Sequence, residues 1–267
     1  MVNTIMMMGV HRSGNHGILN WLIGNLDGRI IHINALNHED LTPELYFKNS
    51  KKRDSTRKIH DSSGFEYYER DWTNFHHADW LILSLESFNV RSMREQISDF
   101  TKKTNCKSII LLRDPLNNAA SMFRSRRNHG YTIEEAKSSV GVVLQRWDQH
   151  ANEMIREDSF WTCRILFNRW FLDVKYRDRI MSDLGYKNTD SGFGDISGHG
   201  RSSFDRNDDA AGLDLEGRYL SLVSEEGFLP SLAGEGVDLE LWKKVCELHS
   251  YELGDRYQEF LSKFPRV

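Results

Sequence analysis

The chain has 267 residues, 39% hydrophobic and 11% aromatic, with a formal charge of −4 and a pI near 6.3. That length and apolar content suit one α/β domain over 1–267 with a buried core, and the mild acidity excludes a chain-wide basic field for coating nucleic acid. No apolar run nears the roughly 20 residues of a membrane span. The three scattered cysteines, Cys106, Cys163 and Cys246, form no C-x-x-C and read as free thiols rather than a disulfide frame or zinc site. With no signal-peptide pattern before the first apolar run, the expectation is a cytoplasmic protein without nucleic-acid or membrane partners.

In chain order, residues 4–8 form a short apolar run that reads as a buried strand. It leads into Gly9-Val10-His11-Arg12-Ser13-Gly14-Asn15-His16-Gly17, and residues 15–25 follow as a helix with Ile18, Leu19, Leu22 and Ile23 on one face. Strand, glycine-bounded turn and helix start match the G-x-x-x-x-G spacing of a phosphate-cradling loop. The two positions after the second glycine are Asn15 and His16, not Lys-Ser/Thr. The lysine for β/γ-phosphates and the hydroxyl for Mg²⁺ are therefore both missing.

Residues 29–34 read as a second strand, 35–79 as a polar irregular stretch, and 80–85 as a strongly apolar strand ending at Glu86. A helix over 90–104 and a buried strand over 107–112 come next. Strand, helix and strand with short links predict a parallel sheet, hence a three-layer α/β/α architecture. Helices over 117–128 and 132–155, a strand over 162–167, a helix over 171–184, a Gly/Ser/Asp/Asn-rich loop over 187–214 and a last helix over 238–264 complete the reading. Trp147, on the helix over 132–155, reads as core.

The strand at 107–112 ends in Arg113-Asp114-Pro115. Ligands of open parallel sheets bind at that carboxyl edge, and Pro115 suits a first helical turn. Ser121 follows eight residues after Arg113, on a helix that also carries Arg124, Arg126 and Arg127. An arginine with a nearby hydroxyl makes a second anion site. Taken alone, Arg113 reads first as a partner for Asp114 and Ser121 as a solvent-facing serine; beside the first loop the pair reads as a second anion site.

The two segments together resemble the PAPS-dependent sulfotransferases, which carry a P-loop-like fold. That family's phosphosulfate loop reads K/R-S-G-T-T, here Arg12-Ser13-Gly14-Asn15-His16. Its 3′-phosphate motif reads R-N/D-P with a serine eight residues after the arginine, here Arg113-Asp114-Pro115 and Ser121. The likeness is clear over 4–25 and 107–128, extends as topology to about 185, and departs from the pattern at Asn15 and His16. It implies that 3′-phosphoadenosine-5′-phosphosulfate (PAPS) is the donor and that no metal is required. It further implies that Arg12 faces the sulfuryl group and that N–H groups of Ser13 through Gly17, including Gly14, hold the phosphosulfate. Asn15 and His16 would add donors, and Arg113 and Ser121 would hold the 3′-phosphate. The nearest counterpart of a late R-K-G stretch that covers the nucleotide in many members is Gly198-His199-Gly200-Arg201, where Arg201 would reach the 3′-phosphate; a surface loop is the equal alternative.

The resemblance places a base, His or Glu, just after the strand preceding Arg113, which here is Glu86. His60, in Lys58-Ile59-His60, is the rival, since imidazole has a suitable intrinsic pKa. The acceptor would be a hydroxyl or amine of a small molecule or carbohydrate; a homodimer is compatible with the sequence. Two other functions fit the loop: a P-loop nucleotide kinase or NTPase, and a non-catalytic nucleotide-binding protein.

Overall fold

A computed structural model of the protein describes residues 3–33, 57–60, 66–67, 78–86, 88–194, 217–235 and 237–264. The apolar runs form the strands expected of them: β1 (Asn3–Gly9), β2 (Ile30–Ile33), β5 (Trp80–Glu86), β6 (Lys107–Leu112) and β7 (Cys163–Leu166). Runs this continuously apolar suit strands covered on both faces. These five pair in parallel, in the order β2-β5-β1-β6-β7. Two short strands, β3 (Arg57–His60) and β4 (Glu66–Tyr67), extend the β2 edge in antiparallel register. They lie in the stretch expected to be irregular, and both are too short for a periodicity to register.

Helices cover both faces. On one face α1 (Asn15–Gly24) packs beside two later helices, α5 (Phe167–Leu172) and α6 (Val174–Asp183), around Trp21, Trp170, Ile180 and Met181. On the other lie α2 (Val90–Thr104), α3 (Pro115–Asn128) and α4 (Ile133–Ile155), followed by α7 (Phe228–Glu235), α8 (Leu239–Leu248) and α9 (Asp255–Lys263). Trp147 is fully buried there, edge-to-face with Trp242 at 6.0 Å. The three-layer expectation holds.

Three differences from the sequence reading have local causes. The helix expected over 238–264 is two, because Ser250 enters the left-handed region at φ 46° and Gly254 caps a new start. The helix expected over 171–184 begins earlier and restarts where the Asp173 carboxylate accepts from the N–H groups of Lys175 and Tyr176. Helix α7 and a 3₁₀ turn at Arg218–Leu222 were not anticipated. All three cysteines are free and buried, and among the described residues no helix is long and apolar enough to cross a membrane.

Strand β1 lies at the point that positions a ligand. Its outgoing connection through α1 leads to β2 on one side, while the connection from its neighbour β6, through α3 and α4, leads to β7 on the other. Opposed connections leave a crevice outside the carboxyl ends of β1 and β6, where open α/β sheets bind ligands.

Candidate functional site

The β1–α1 turn at that crevice is built by residues that cannot be exchanged freely. A Cβ on Gly9 would enter the Asn15 side chain, and one on Gly14 would enter the Phe167 ring. Gly14 adopts φ 94° as the N-cap of α1. It has no side chain to cap the helix, so the cap itself leaves the first-turn N–H groups of α1 to other partners. Arg12 is held at φ 67°, an uncommon conformation for a residue with a side chain. The Ser13 hydroxyl donates to the Val10 carbonyl at 2.6 Å, tying the turn shut.

The second anchor meets the first directly. Arg113 Nη1 donates to the Arg12 carbonyl at 3.4 Å, and Arg12 Nε donates to Ser121 Oγ at 3.3 Å. Asn118 Nδ2 donates to the His11 carbonyl at 2.8 Å, a third tie between α3 and the turn. Residues a hundred positions apart in sequence thus form one surface.

Arg113 is almost completely buried, with 3% of its surface exposed. Its guanidinium lies 5.2 Å from the centre of the Phe167 ring. Asp114 is not its dedicated partner, since Nε to Oδ2 is 3.9 Å. That carboxylate instead caps α3, accepting from the Asn117 backbone at 2.8 Å, and also takes the Asn117 and Asn168 side-chain amides. Arg113 Nε and Nη2 have no hydrogen-bond partner among the described residues. Buried polar groups are normally satisfied, and leaving one open costs about 1–3 kcal/mol or more when charged. Burial, then the neighbouring charge of Arg218, pushes the Arg113 pKa down to about 10, with Asp114 opposing the fall. Arg12 is lowered for the same first reason and by Arg218, against the pull of Glu86. Arg218, at the start of the 3₁₀ turn, therefore belongs to this cluster. Only the folded chain shows that, since Gly217-Arg218-Tyr219 carries no motif. Three guanidinium groups close enough to lower one another's pKa concentrate positive charge at this edge of the sheet, which suits an anion of more than one charge.

Glu86 ends β5 in register with Gly9 of β1, at the same carboxyl edge. Its Oε1 accepts from Asn15 Nδ2 at 2.8 Å, and its Oε2 lies 3.2 Å from His11 Nε2. Burial acts to raise its pKa, yet the His11 and Asn15 hydrogen bonds and the charges of His11 and His16 leave it below the usual carboxylate range. The two donors outweigh the desolvation that would otherwise raise Glu86.

The Asn15 side chain is a correction. It turns inward, with Nδ2 on Glu86 and on the Val10 carbonyl and Oδ1 by the Ser13 hydroxyl, so it is not a phosphate donor here. His60 ends β3 opposite Ile30, and Ile30 stands level with Trp80 at the amino edge of the sheet. That is six strand residues, about 20 Å, from Glu86, so the register does not bring the two candidate bases together. Of the arginines on α3, Arg124 pairs with Glu225 at 2.7 Å, while Arg126 stacks over Tyr131 and Arg127 reaches the Tyr131 carbonyl. These described contacts point away from Arg12, Arg113 and Ser121. Arg201 lies outside the described residues.

No family model and no curated protein matches the chain. Among solved structures it is similar to the mouse sulfotransferase SULT7A1 complexed with PAP, at 17% identity and TM-score 0.40. That alignment takes in 69% of this chain and 60% of the mouse chain, so it spans less than two thirds of that protein. It is also similar to a sulfotransferase from Alicyclobacillus acidocaldarius, at 12% identity and TM-score 0.45 over 95% of this chain and 97% of the other. A sulfotransferase domain from the curacin biosynthetic pathway gives 10% identity and TM-score 0.43 over 95% and 99%. At TM-scores no higher than 0.45 these likenesses carry no argument about chemistry, which rests on the crevice itself.

Proposed function

We propose that this protein is a sulfotransferase that moves a sulfuryl group from PAPS to a hydroxyl or amine of a small molecule or carbohydrate. The observation that carries the reading is Arg113: a buried guanidinium with two nitrogens lacking partners among the described residues, tied to Arg12 of the glycine-bounded turn. It matches a ligand with two separated anionic groups, one on the turn and one beside Arg113 and Ser121. In-line transfer of this kind needs placement, positive charge around the transferring group and removal of the acceptor proton. The first-turn N–H groups and Arg12 supply placement and charge at the phosphosulfate. Arg113, Ser121 and the neighbouring Arg218 hold the 3′-phosphate. Glu86, at the carboxyl edge beside the turn, supplies the negative charge that favours proton removal. A nucleoside-triphosphate kinase is the poorer fit, because position 15 is an asparagine committed to Val10 and Glu86 rather than a lysine free to reach a γ-phosphate.

Adenosine 3′,5′-bisphosphate should raise the melting temperature without Mg²⁺, by ligand linkage. Equal or greater stabilisation by Mg·ATP would favour the kinase reading. Glu86→Gln should cut sulfuryl transfer at least about tenfold while bisphosphate affinity stays within about twofold of the parent, measured by titration calorimetry. Binding without turnover in the parent protein would favour a nucleotide-binding module.

A further inference from the structure

We propose that Phe167 and Asn168 are positioning residues that set the separation of the two anion anchors, and so select a ligand whose two anionic groups stand one fixed distance apart. The inference rests on the sulfuryl-transfer reading and deepens it. The turn follows β1 and Arg113 follows β6, while Phe167 and Asn168 follow β7, which is not a neighbour of β1. Leu166 stands level with Leu112, so the pair reaches the carboxyl edge beside Arg113 and Asp114. From there the Phe167 ring extends to the turn. It meets Gly14 so closely that no Cβ fits there, and the Arg113 guanidinium lies over it, 5.2 Å from its centre. One ring thus packs against both anchors.

The wedge is held from behind. Phe167 is buried, its ring packs on that of Trp170 at 5.5 Å, and Trp170 packs edge-on against Trp21 of α1 at 5.7 Å. The N–H of Leu166 donates to the Tyr176 hydroxyl at 3.0 Å, which fixes the strand end. Asn168 spends both ends of its amide on one residue. Its Oδ1 accepts from the Asp114 N–H and its Nδ2 donates to Asp114 Oδ2, each at 3.1 Å. The direct ties between the anchors, Arg113 to the Arg12 carbonyl at 3.4 Å and Arg12 to Ser121 at 3.3 Å, are long for hydrogen bonds. Such ties limit how far the anchors part; a ring backed by close-packed neighbours limits how near they come. A ligand with two linked anions gains from its second contact only when both anchors stand at the spacing of its groups. A ligand with one anion gains nothing from that spacing.

The test is titration calorimetry on the full chain with three probes: adenosine 3′,5′-bisphosphate, adenosine 5′-phosphate and adenosine 3′-phosphate. The parent should bind the bisphosphate more tightly than either monophosphate. Phe167→Leu removes the ring, and Asn168→Ala releases Asp114. Each variant should weaken bisphosphate binding about tenfold or more while either monophosphate stays within about twofold of the parent. Ile180→Val, in the same core cluster but on α6, is the control: it should lower the melting temperature and leave the ratio of affinities unchanged. Gly14→Ala combined with Phe167→Leu should cost less melting temperature than the two single losses together, because the smaller side chain admits the added Cβ. Variants that weaken all three probes alike, or that keep the full preference for the bisphosphate, overturn the proposal, and so do additive losses in the double variant. Should Phe167→Leu fail to fold, Asn168→Ala decides by the same ratio. A parent without preference for the bisphosphate strikes the sulfuryl-transfer reading and the proposal together. A parent with that preference that moves no sulfuryl group from PAPS strikes the reading alone, because the spacing is read by binding.

Discussion

Arg113 shows how a residue can be costly to the fold and still be kept. Its guanidinium is taken out of water, crowded by Arg12 and Arg218, and left with Nε and Nη2 lacking partners among the described residues. On the proposed reading a ligand anion would make those bonds, which no described residue makes. Arg113→Met keeps the length of the stem and removes the buried charge. Relief of about 1–3 kcal/mol should raise the melting temperature of the ligand-free protein by about 2–6 °C. The same substitution should weaken adenosine 3′,5′-bisphosphate binding by about 10- to 100-fold, the worth of charged hydrogen bonds. A variant with both lower stability and normal binding would show that Arg113 is structural. The motif Arg113-Asp114-Pro115 was visible in the sequence. That Asp114 is not the dedicated partner of Arg113 was not, because its carboxylate is drawn away by Asn117 and Asn168, and Asn168 lies 54 positions along the chain.

At the scale of the element, the β1–α1 turn depends on two glycines for different reasons. Gly14 needs a positive φ, and its α-carbon faces the Phe167 ring. Gly14→Ala should therefore lower the melting temperature by about 4 °C or more, the sum of left-handed strain and a clash, and weaken bisphosphate binding as the first-turn N–H groups are displaced. Gly130→Ala is the matched control: φ is also positive, at 82°, but nothing lies within 4 Å of an added Cβ. It should show the strain alone and bind normally. Calorimetry on both variants separates packing from backbone preference. Most elements flanking the site were legible from apolar runs and period: β1, α1, β5, α2, β6 and α3 stand within two residues of the sequence reading. Those misplaced were two-to-four-residue edge strands and helices divided by local breaks, at Asp173 and at Ser250. A period needs several repeats to register, and neither feature offers them.

Across the whole molecule, the cover of the sheet holds histidines in a form that sets its response to acid. His150 on α4 and His249 beyond α8 are buried, and burial first of all drives their pKa values down to about 4 and about 3. In the unfolded chain imidazole titrates near about 6.5. Between those values the unfolded state takes up protons that the fold refuses, so stability is complete above about pH 6.5 and falls as pH drops toward 4. Melting temperature scanned from pH 7.5 to 4.5 should fall mainly below 6.5, and His150→Gln should flatten the slope. Glu86 acts in the same direction at lower pH. Its depressed carboxyl contributes stability above the usual carboxylate pKa and loses it on protonation. A melting temperature flat to pH 4.5 would show that both rings charge in place.

The sequence by itself determined the local grammar of this protein. A buried strand enters a glycine-bounded turn, a helix leaves it, and an arginine ends a second buried strand eight residues before a serine. Such features depend on neighbours within about ten positions, where period and turn chemistry act. Tertiary structure alone decided which groups share the crevice. It placed Arg218 beside Arg12 and Arg113, turned Asn15 inward onto Glu86, set His11 against that carboxylate and left His60 at the opposite edge of the sheet. The physical reason is strand order. β5, β1 and β6 are neighbours though spread over a hundred residues, and their carboxyl ends gather side chains whose meeting no local pattern encodes.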